Sequence, residues 1–208
     1  MKLNLKDVTL FGLDTNHHHL LRKAANVCQS YAEFGHVVLL SDKDVTINNI
    51  YEYNKFVMCN LHKYIETDYV LTIHHDGFIL NPLAWTDDFY NYDYIGAPWP
   101  DGTVGNSGFN LKTRSLVNRL PSLLPEGTPL ADYFPDDLII CKRFRPILEA
   151  EGFKFADEHT GHRFSHEYNM RHGMIWQGSF GFHDFKTNIN NWTNIDKFKA
   201  GLYDKNTI

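Results

Sequence analysis

Tyr69-Val-Leu-Thr-Ile-His-His-Asp-Gly-Phe78 is an apolar run that stops at two histidines, an acid and a glycine. Its length and apolar character are typical of a buried strand. In open α/β sheets, ligands bind beyond the carboxyl ends of the strands, where the loops converge. The stretch therefore predicts a buried strand with a ligand site at its end, around Asp76.

Apolar strands alternate with helices on the N-terminal side of this stretch. Val8–Leu13 predicts a strand, and the residues after it predict a helix from about His18 to Phe34 that ends at Gly35. His36–Leu40 predicts a second strand, and Tyr53–Ile65 predicts the helix that leads into the stretch quoted above. Continuous apolar strands joined by helices are typical of a parallel sheet covered on both faces. The predicted fold class is α/β, with a mostly parallel, Rossmann-like sheet flanked by helices.

Shorter elements follow in the second half of the chain. Tyr94–Pro98 and Gly108–Leu111 predict short strands, and the segment from Asp136 to about Phe144 predicts a helix. In residues 161–208 the periodicity fades, and the Gly-, Asn- and aromatic-rich composition predicts a loop-rich C-terminal tail that covers the site. A length of 208 residues is typical of one domain, so residues 1–208 are predicted to form a single domain.

The composition argues against several classes of protein. The formal charge is −5 and the Lys and Arg residues are spread along the chain, so a duplex nucleic-acid binder with a basic face is not expected. Cys28, Cys59 and Cys141 lack metal-binding or disulfide spacing and are predicted to be reduced core thiols. No leader and no apolar run of membrane-spanning length is seen, so a cytoplasmic location is expected.

Five segments of the chain resemble a known family. They are Ile73–Phe78, Tyr94–Trp99, Val104–Arg114, Pro135–Ile139 and Phe180–Asp184. Together they resemble a family of bacterial and viral glycosyltransferase-like proteins with the GT-A fold and, more distantly, the Fringe and β-1,3-galactosyltransferase pattern. The resemblance implies transfer of a sugar from a nucleotide-diphosphate sugar to the hydroxyl of a glycan or other acceptor. The expected donor is UDP-linked, and the expected stereochemistry is inversion at the anomeric carbon.

The departing diphosphate needs stabilisation, which a divalent cation supplies as a Lewis acid. We therefore expect Mn²⁺ or Mg²⁺, with Asp76 as one ligand and, as the resemblance implies, His183 closing the site from the other side. The Asp-x-Asp metal motif of the resembling families reads His74-x-Asp76 here. An acid before Gly77 is also typical of a turn, and a histidine among phenylalanines is also typical of a core.

His74 and His75 are adjacent, so only one can face the ligand if the strand alternates. His75 is assigned to the donor site. The nucleotide site is predicted to be lined by residues that follow the first two strands. Asp14, Thr15 and Asn16 follow the first strand, and Ser41 and Asp42 follow the second.

The acceptor hydroxyl must lose its proton, and a positioned carboxylate is the usual base. Asp136 and Asp137 lie where the resembling families have Glu-Asp, whose second acid is the base, so Asp137 is assigned that role. Asp136 is interpreted as a helix cap, and capping by both acids is the alternative.

The segment before the predicted strand at 108–111 is the candidate sugar contact. Gly105, Ser107 and Gly108 are predicted to let the backbone approach the donor sugar or the acceptor closely, because glycine has no Cβ to clash; a simple β-bulge is the alternative. Asn106 is predicted to hydrogen-bond a sugar hydroxyl. Trp99 is the candidate stacking platform for the acceptor, and packing on its own domain is the alternative.

Two other functions stay open on the sequence alone. A metal-dependent hydrolase or nucleotidyltransferase would use the same strand-end acids around two metals. A non-catalytic nucleotide-sugar-binding module would keep the fold without turnover. The sugar, the acceptor and the oligomeric state are not specified by the sequence.

Overall fold

The computed structural model of the chain describes residues 2–167 and 178–183, and its strands form two sheets. The strands are β1 (Leu3–Leu13), β2 (Ala32–Leu40), β3 (Tyr69–Ile73), β4 (Phe78–Ile79), β5 (Tyr94–Ile95), β6 (Phe109–Thr113), β7 (Ser165–Glu167) and β8 (Gly181–His183). The larger sheet has five strands in the order β2-β1-β3-β6-β5, and the smaller has the order β4-β8-β7.

Short helices connect these strands. They are α1 (His18–Tyr31), α2 (Ile50–Cys59), α3 (Arg114–Arg119), α4 (Asp136–Leu138), α5 (Arg145–Ala150) and α6 (Glu158–Phe164). A π-helical turn, Ile139–Arg143, continues α4, and a 3₁₀ turn, Leu61–Tyr64, follows α2. Among the helices described, none is long and apolar enough to cross a membrane.

The larger sheet is mixed but mostly parallel in strand direction. β1 pairs in parallel with β2 and with β3, whereas β6 runs antiparallel to both β3 and β5. Four strands therefore point one way and β6 points the other. The predicted α/β class with a mostly parallel sheet and flanking helices is confirmed; the antiparallel direction of β6 was not predicted.

The register of the larger sheet brings three loops to one edge. Gly12 of β1 pairs with Ile73 of β3, and Ile73 also pairs with Phe109 of β6. The residues after β1, the residues after β3 and the residues before β6 consequently leave the sheet side by side. This edge is where the sequence places its candidate ligand residues.

Apolar side chains cover the two faces of the sheet. On one face Leu10 and Leu71 join a large cluster with Leu21 and Cys28 of α1. On the other face Phe11 belongs to a second cluster. The alternation of Leu10 and Phe11 follows from the two-residue period of a strand. Cys28 and Cys141 are buried free thiols and Cys59 is a partly buried one, as the sequence predicts.

The predicted end of the first helix is wrong. The first helix ends at Tyr31, and Gly35, predicted to end it, lies inside β2. The β1–β2 register shifts between Leu5 and Thr9, so extra residues of β1 bulge opposite Gly35. A Cβ on Gly35 would lie 1.9 Å from the carbonyl oxygen of Lys6. This glycine permits a close backbone approach in a strand, which a sequence pattern does not distinguish from a helix stop.

The smaller sheet gives the start of the predicted C-terminal tail regular structure. The second half of α6, with β7 and β8, lies within residues 161–208, where the sequence predicts loops. β8 pairs with β4 and β7, and its Phe182 is fully buried against Phe78. The rest of the predicted tail, residues 168–177 and 184–208, lies outside the described residues.

The bulge at Gly35 yields a stability prediction. Gly35→Ala places a methyl group against the Lys6 carbonyl, so we expect a loss of about 1–3 kcal/mol of unfolding free energy, the usual cost of overpacking. Chemical denaturation measures this loss. Glu33→Ala, at an exposed position of the same strand, is the control and should change stability by less than about 0.5 kcal/mol. Equal stability of the two variants would contradict the close approach.

Candidate functional site

A cleft of about 300 Å³ opens at the carboxyl ends of β1 and β3. It is lined by Leu13, Asp14, Thr15, Asn16, His17, Ile47, Asn48, Asn49, Ile50, Tyr53, His74 and His75. Four of the residues assigned to donor binding, Asp14, Thr15, Asn16 and His75, thus line one cleft. Ser41 and Asp42, assigned with them, are not among its lining residues; Ser41 instead hydrogen-bonds Asp44. The loop at 47–49 and the first residue of α2, Ile50, line the cleft in their place.

Asp14 and His75, which both line this cleft, form an ion pair. His75 Nδ1 lies 2.9 Å from Asp14 Oδ2, while the backbone N–H groups of Asn16 and His17 donate to Asp14 Oδ1. Burial by itself raises the pKa of Asp14, but the His75 contact and the two backbone donors outweigh it and lower that pKa to about 2. The hydrogen bond with Asp14 raises the pKa of His75.

His74, Asp76 and His183 converge on one point. One ligand atom from each lies within 4.8 Å of the others, and His183 Nε2 is 3.6 Å from Asp76 Oδ1. All three side chains are partly exposed. The structure therefore brings together Asp76 and His183, the two assigned metal ligands, and adds His74. The neighbouring His75 lies in the tight turn between His74 and Gly77 and points away to Asp14.

Two further residues hold these imidazoles in place. Glu167 Oε1 lies 3.1 Å from His183 Nδ1, on the side of the ring opposite Asp76, and Tyr53 Oη lies 2.7 Å from His74 Nε2. A histidine that binds metal usually donates its second N–H to such an acceptor, which fixes its tautomer. Sequence reasoning missed Glu167 and Tyr53, since only the β7–β8 pairing, with Glu167 opposite His183, and the packing of α2 bring them here.

The protonation states suit a metal centre. Burial, followed by the charge of His183, lowers the pKa of His74 to about 4, so its imidazole is neutral at pH 7. Burial raises the pKa of Asp76, but the imidazoles of His183, His74 and His75 outweigh it, and the net shift is downward. Two imidazole nitrogens and one carboxylate fit Mn²⁺ better than Mg²⁺, because Mg²⁺ is bound by oxygen ligands.

Asp137 lies near enough to this group to interact with His183 and Glu167, and its neighbour Asp136 is buried. Asp137 is partly exposed, and burial and the Glu167 carboxylate raise its pKa, while the Leu138 N–H and His183 oppose the rise. The N-cap of α4 is Pro135, with no side-chain capping bond. The interpretation of Asp136 as a helix cap is therefore wrong.

Asp136 belongs to a buried polar network. It is 2% exposed, its backbone N–H donates to Asn54 Oδ1 at 2.6 Å, and burial and the charge of Asp137 raise the pKa of its carboxyl to about 7. Lys112, 1% exposed, supplies the opposing charge. Its ammonium donates to Asn110 Oδ1 and to Thr72 Oγ1, the latter at 3.3 Å.

Asn106, Ser107 and Gly108 have structural partners of their own. The Asn106 side chain is 8% exposed and donates to the Ala97 carbonyl, and its φ of 62° places it in a tight turn. A Cβ on Gly108 would lie 2.0 Å from the His183 ring, so this glycine makes room for a candidate metal ligand. The three residues remain predicted sugar contacts.

Trp99 packs on its own domain. Its ring lies where a Cβ on Gly105 would be, 1.9 Å from ring carbon Cη2, and the Lys142 ammonium is 4.7 Å from the ring centroid. These contacts match the alternative interpretation of an internally packed side chain. Its role as a stacking platform for the acceptor stays a prediction.

The fold and the site define an α/β domain of the GT-A-like class. Among solved structures, the chain is similar to a protein described as a glycosyltransferase involved in the glycosylation of the major capsid of PBCV-1. The TM-score is 0.54 at 12% identity, and the alignment covers 93% of this chain and 98% of that one. At such low identity this likeness establishes the fold alone.

A family model assigns the chain more closely. The chain belongs to the protein family of unknown function DUF5672, whose model matches residues 37–183. This range includes both His74-x-Asp76 and His183. A search of the curated proteins found no match.

The buried acid yields a pH prediction. The pKa of Asp136 rises on folding from its usual 3.8 to about 7, so over that pH range the folded chain holds a proton that the unfolded chain releases. Stability therefore falls as pH rises through this window, by at most about 1.4 kcal/mol per pH unit. Asp136→Asn removes the titration.

We expect the melting temperature of Asp136→Asn, taken relative to that of the parent, to be higher at pH 8 than at pH 5. Melting temperatures at the two pH values measure the gain. Asp132→Asn, at an exposed acid in the 3₁₀ turn before α4, is the control and should show no such difference. A pH-independent effect of Asp136→Asn would mean that the Asp136 carboxyl is already ionised at pH 5.

Proposed function

We propose that the protein is a glycosyltransferase that moves a sugar from a UDP-linked donor to an acceptor hydroxyl with inversion of configuration. The observation that supports it most is the convergence of His74, Asp76 and His183 beside a partly exposed acid, Asp137, at the edge of a GT-A-like sheet. This reaction requires stabilisation of the diphosphate, which the histidine–aspartate group would provide through a metal ion, and removal of a proton, which Asp137 would provide.

The cleft is the proposed donor site. Its volume of about 300 Å³ is at the lower end of the range for small-molecule pockets. Asp14, Thr15 and Asn16 would bind the nucleoside from the end of β1, and His75, oriented by Asp14, would face the diphosphate. The metal group borders this cleft, since His74 is among the residues that line it.

His74, Asp76 and His183 would hold Mn²⁺, with Glu167 fixing the tautomer of His183. When bound, the cation supplies charge stabilisation to the departing diphosphate. The oxygen-rich environment that Mg²⁺ prefers is absent from this described group. A preference for Mn²⁺ follows from the two imidazoles.

Asp137 would take the proton from the acceptor hydroxyl. Its raised pKa brings a carboxylate closer to the pKa range in which a base is effective at neutral pH. Asp136 and Lys112 would hold α4, and with it Asp137, in position. The backbone N–H of Asp136 is bonded to Asn54, and its carboxyl interacts with the charge of Lys112. A single displacement by the activated hydroxyl inverts the anomeric carbon.

A nucleotide-sugar-binding module without turnover is the second candidate. It is favoured by one observation: a partly buried histidine, His74, replaces the first acid of the usual Asp-x-Asp motif, and its Nε2 is in contact with Tyr53. Release of UDP from a donor separates the candidates. A metal-dependent hydrolase would release UDP at a rate that is indifferent to acceptors.

Donor binding yields the first functional prediction. UDP should raise the melting temperature, and Mn²⁺ should enlarge the rise; at 100 times Kd the gain is about 2.7 kcal/mol, or roughly 5–10 °C for a domain of this size. Asp76→Asn and His183→Ala should abolish the Mn²⁺-dependent part. His159→Ala, an exposed histidine on α6, is the control.

Differential scanning fluorimetry with and without EDTA measures this effect. Absence of any nucleotide-diphosphate binding at millimolar concentration would overturn the glycosyltransferase proposal. Binding that EDTA leaves unchanged would overturn the metal role alone.

The base assignment yields the second functional prediction. Asp137→Asn preserves size but cannot accept the proton, so transfer should fall about 10²–10⁴-fold while UDP affinity is retained. UDP release in the presence of acceptor and NMR of the product's anomeric carbon give the two readouts, with Asp132→Asn as the control. Retained configuration, or parental turnover in Asp137→Asn, would contradict the assignment.

A further inference from the structure

We propose that Asp14, His17 and His75 form a second divalent-metal site, distinct from the one at His74, Asp76 and His183. One ligand atom from each of the three lies within 4.8 Å of the others, in the part of the chain that the structure describes. The inference concerns metal binding alone and does not depend on glycosyl transfer.

The distances between these atoms suit a shared ion. His75 Nδ1 lies 2.9 Å from Asp14 Oδ2, and His17 Nδ1 lies 3.9 Å from Asp14 Oδ1. Two atoms bound to one ion at about 2.1 Å are roughly 3.0 Å apart at a right angle and roughly 3.4 Å apart at a tetrahedral angle. The His75 pair already has this spacing, and a small rotation of the exposed His17 side chain closes the other.

The backbone fixes the carboxylate that the two imidazoles face. The N–H groups of Asn16 and His17 donate to Asp14 Oδ1 at 2.9 and 2.6 Å, which holds the side chain in one orientation and leaves Oδ2 toward His75. The rings of His17 and His75 lie with their centroids 5.0 Å apart. Two imidazoles thus face one immobilised carboxylate.

The surroundings allow an ion to enter and to keep water ligands. The Asp14, His75 and His17 side chains are 14%, 29% and 55% exposed, and all three line the open cleft. None of the described residues that line the cleft is lysine or arginine. A cation here would supply positive charge where the cleft has no fixed cation.

The two metal groups use different faces of one strand end. His74 faces His183, at 5.2 Å between ring centroids, and His75 faces Asp14. His74 is paired with Gly77, and His75 lies in the tight turn between them, so the two side chains point in different directions. The His74-His75 pair can therefore contribute one ligand to each of two ions. Two nitrogens and one oxygen favour Zn²⁺, Co²⁺ and Mn²⁺ over Mg²⁺.

Asp14 could instead serve only to orient His75 by their hydrogen bond, with no second ion. The two interpretations differ in stoichiometry and in the role of His17. Orientation needs only Asp14 and His75, whereas a metal site also needs the His17 ring. His17 makes no side-chain capping bond to α1, so removing its ring leaves the helix start intact.

Isothermal titration of the full chain with Co²⁺, without nucleotide, tests the site. We expect two tight equivalents in the parent, one in His17→Ala and one in His183→Ala. His19→Ala, at an exposed histidine on the same helix and outside both groups, should bind two. Paramagnetically shifted imidazole signals in the NMR spectrum should decrease in step with each loss.

A tight stoichiometry that is unchanged by His17→Ala would overturn the second site, as would a parent that binds one equivalent and loses it in His183→Ala. No tight Co²⁺ binding at all would overturn both metal sites. The proposed transfer reaction has separate readouts, UDP binding and UDP release, so its failure is distinguishable from failure of this site.

Discussion

The parallel pairing of β1 with β3 is the constraint on which the rest of the site depends. Gly12 opposite Ile73 fixes where each strand leaves the sheet, and it brings Asp14 within hydrogen-bond distance of His75. His74 and His75 directly follow β3 and begin the turn that closes at Gly77, so a shift of this register would move both histidines relative to Asp14. The same register thus positions His75 for its ion pair with Asp14.

The second constraint is the arrival of His183 from a separate sheet. β8 pairs with β4, immediately after the Gly77 turn, and with β7. Room for its ring depends on glycines: a Cβ would lie 2.0 Å from the ring at Gly108 and 3.1 Å from it at Gly77. The buried Phe182 anchors β8 in the aromatic core, so the position of His183 is set by packing of its neighbour.

The buried polar network of Asp136 and Lys112 is energetically costly, and we expect it to have a structural role. Removing Lys112 and Asp136 from water carries a large desolvation penalty, which their mutual attraction and hydrogen bonds offset only if the geometry is good. Lys112 contacts Asn110 on its own strand, β6, and Thr72 on the neighbouring β3, and it lies 5.4 Å from the Tyr94 ring centroid. The network ties α4, and with it Asp137, to the centre of the sheet.

The amino-acid sequence by itself determined the α/β class, the central strand at 69–73 and the location of ligand residues at strand ends, because apolar periodicity and strand-end chemistry are local signals. It also indicated Asp76 and His183 as partners, through motif resemblance. Only the tertiary structure decided the strand status of Gly35, the buried role of Asp136, and the presence of Tyr53 and Glu167 around the histidines. These features depend on a β-bulge, on desolvation and on pairing between distant segments, and such long-range packing leaves no periodic mark on the residues concerned.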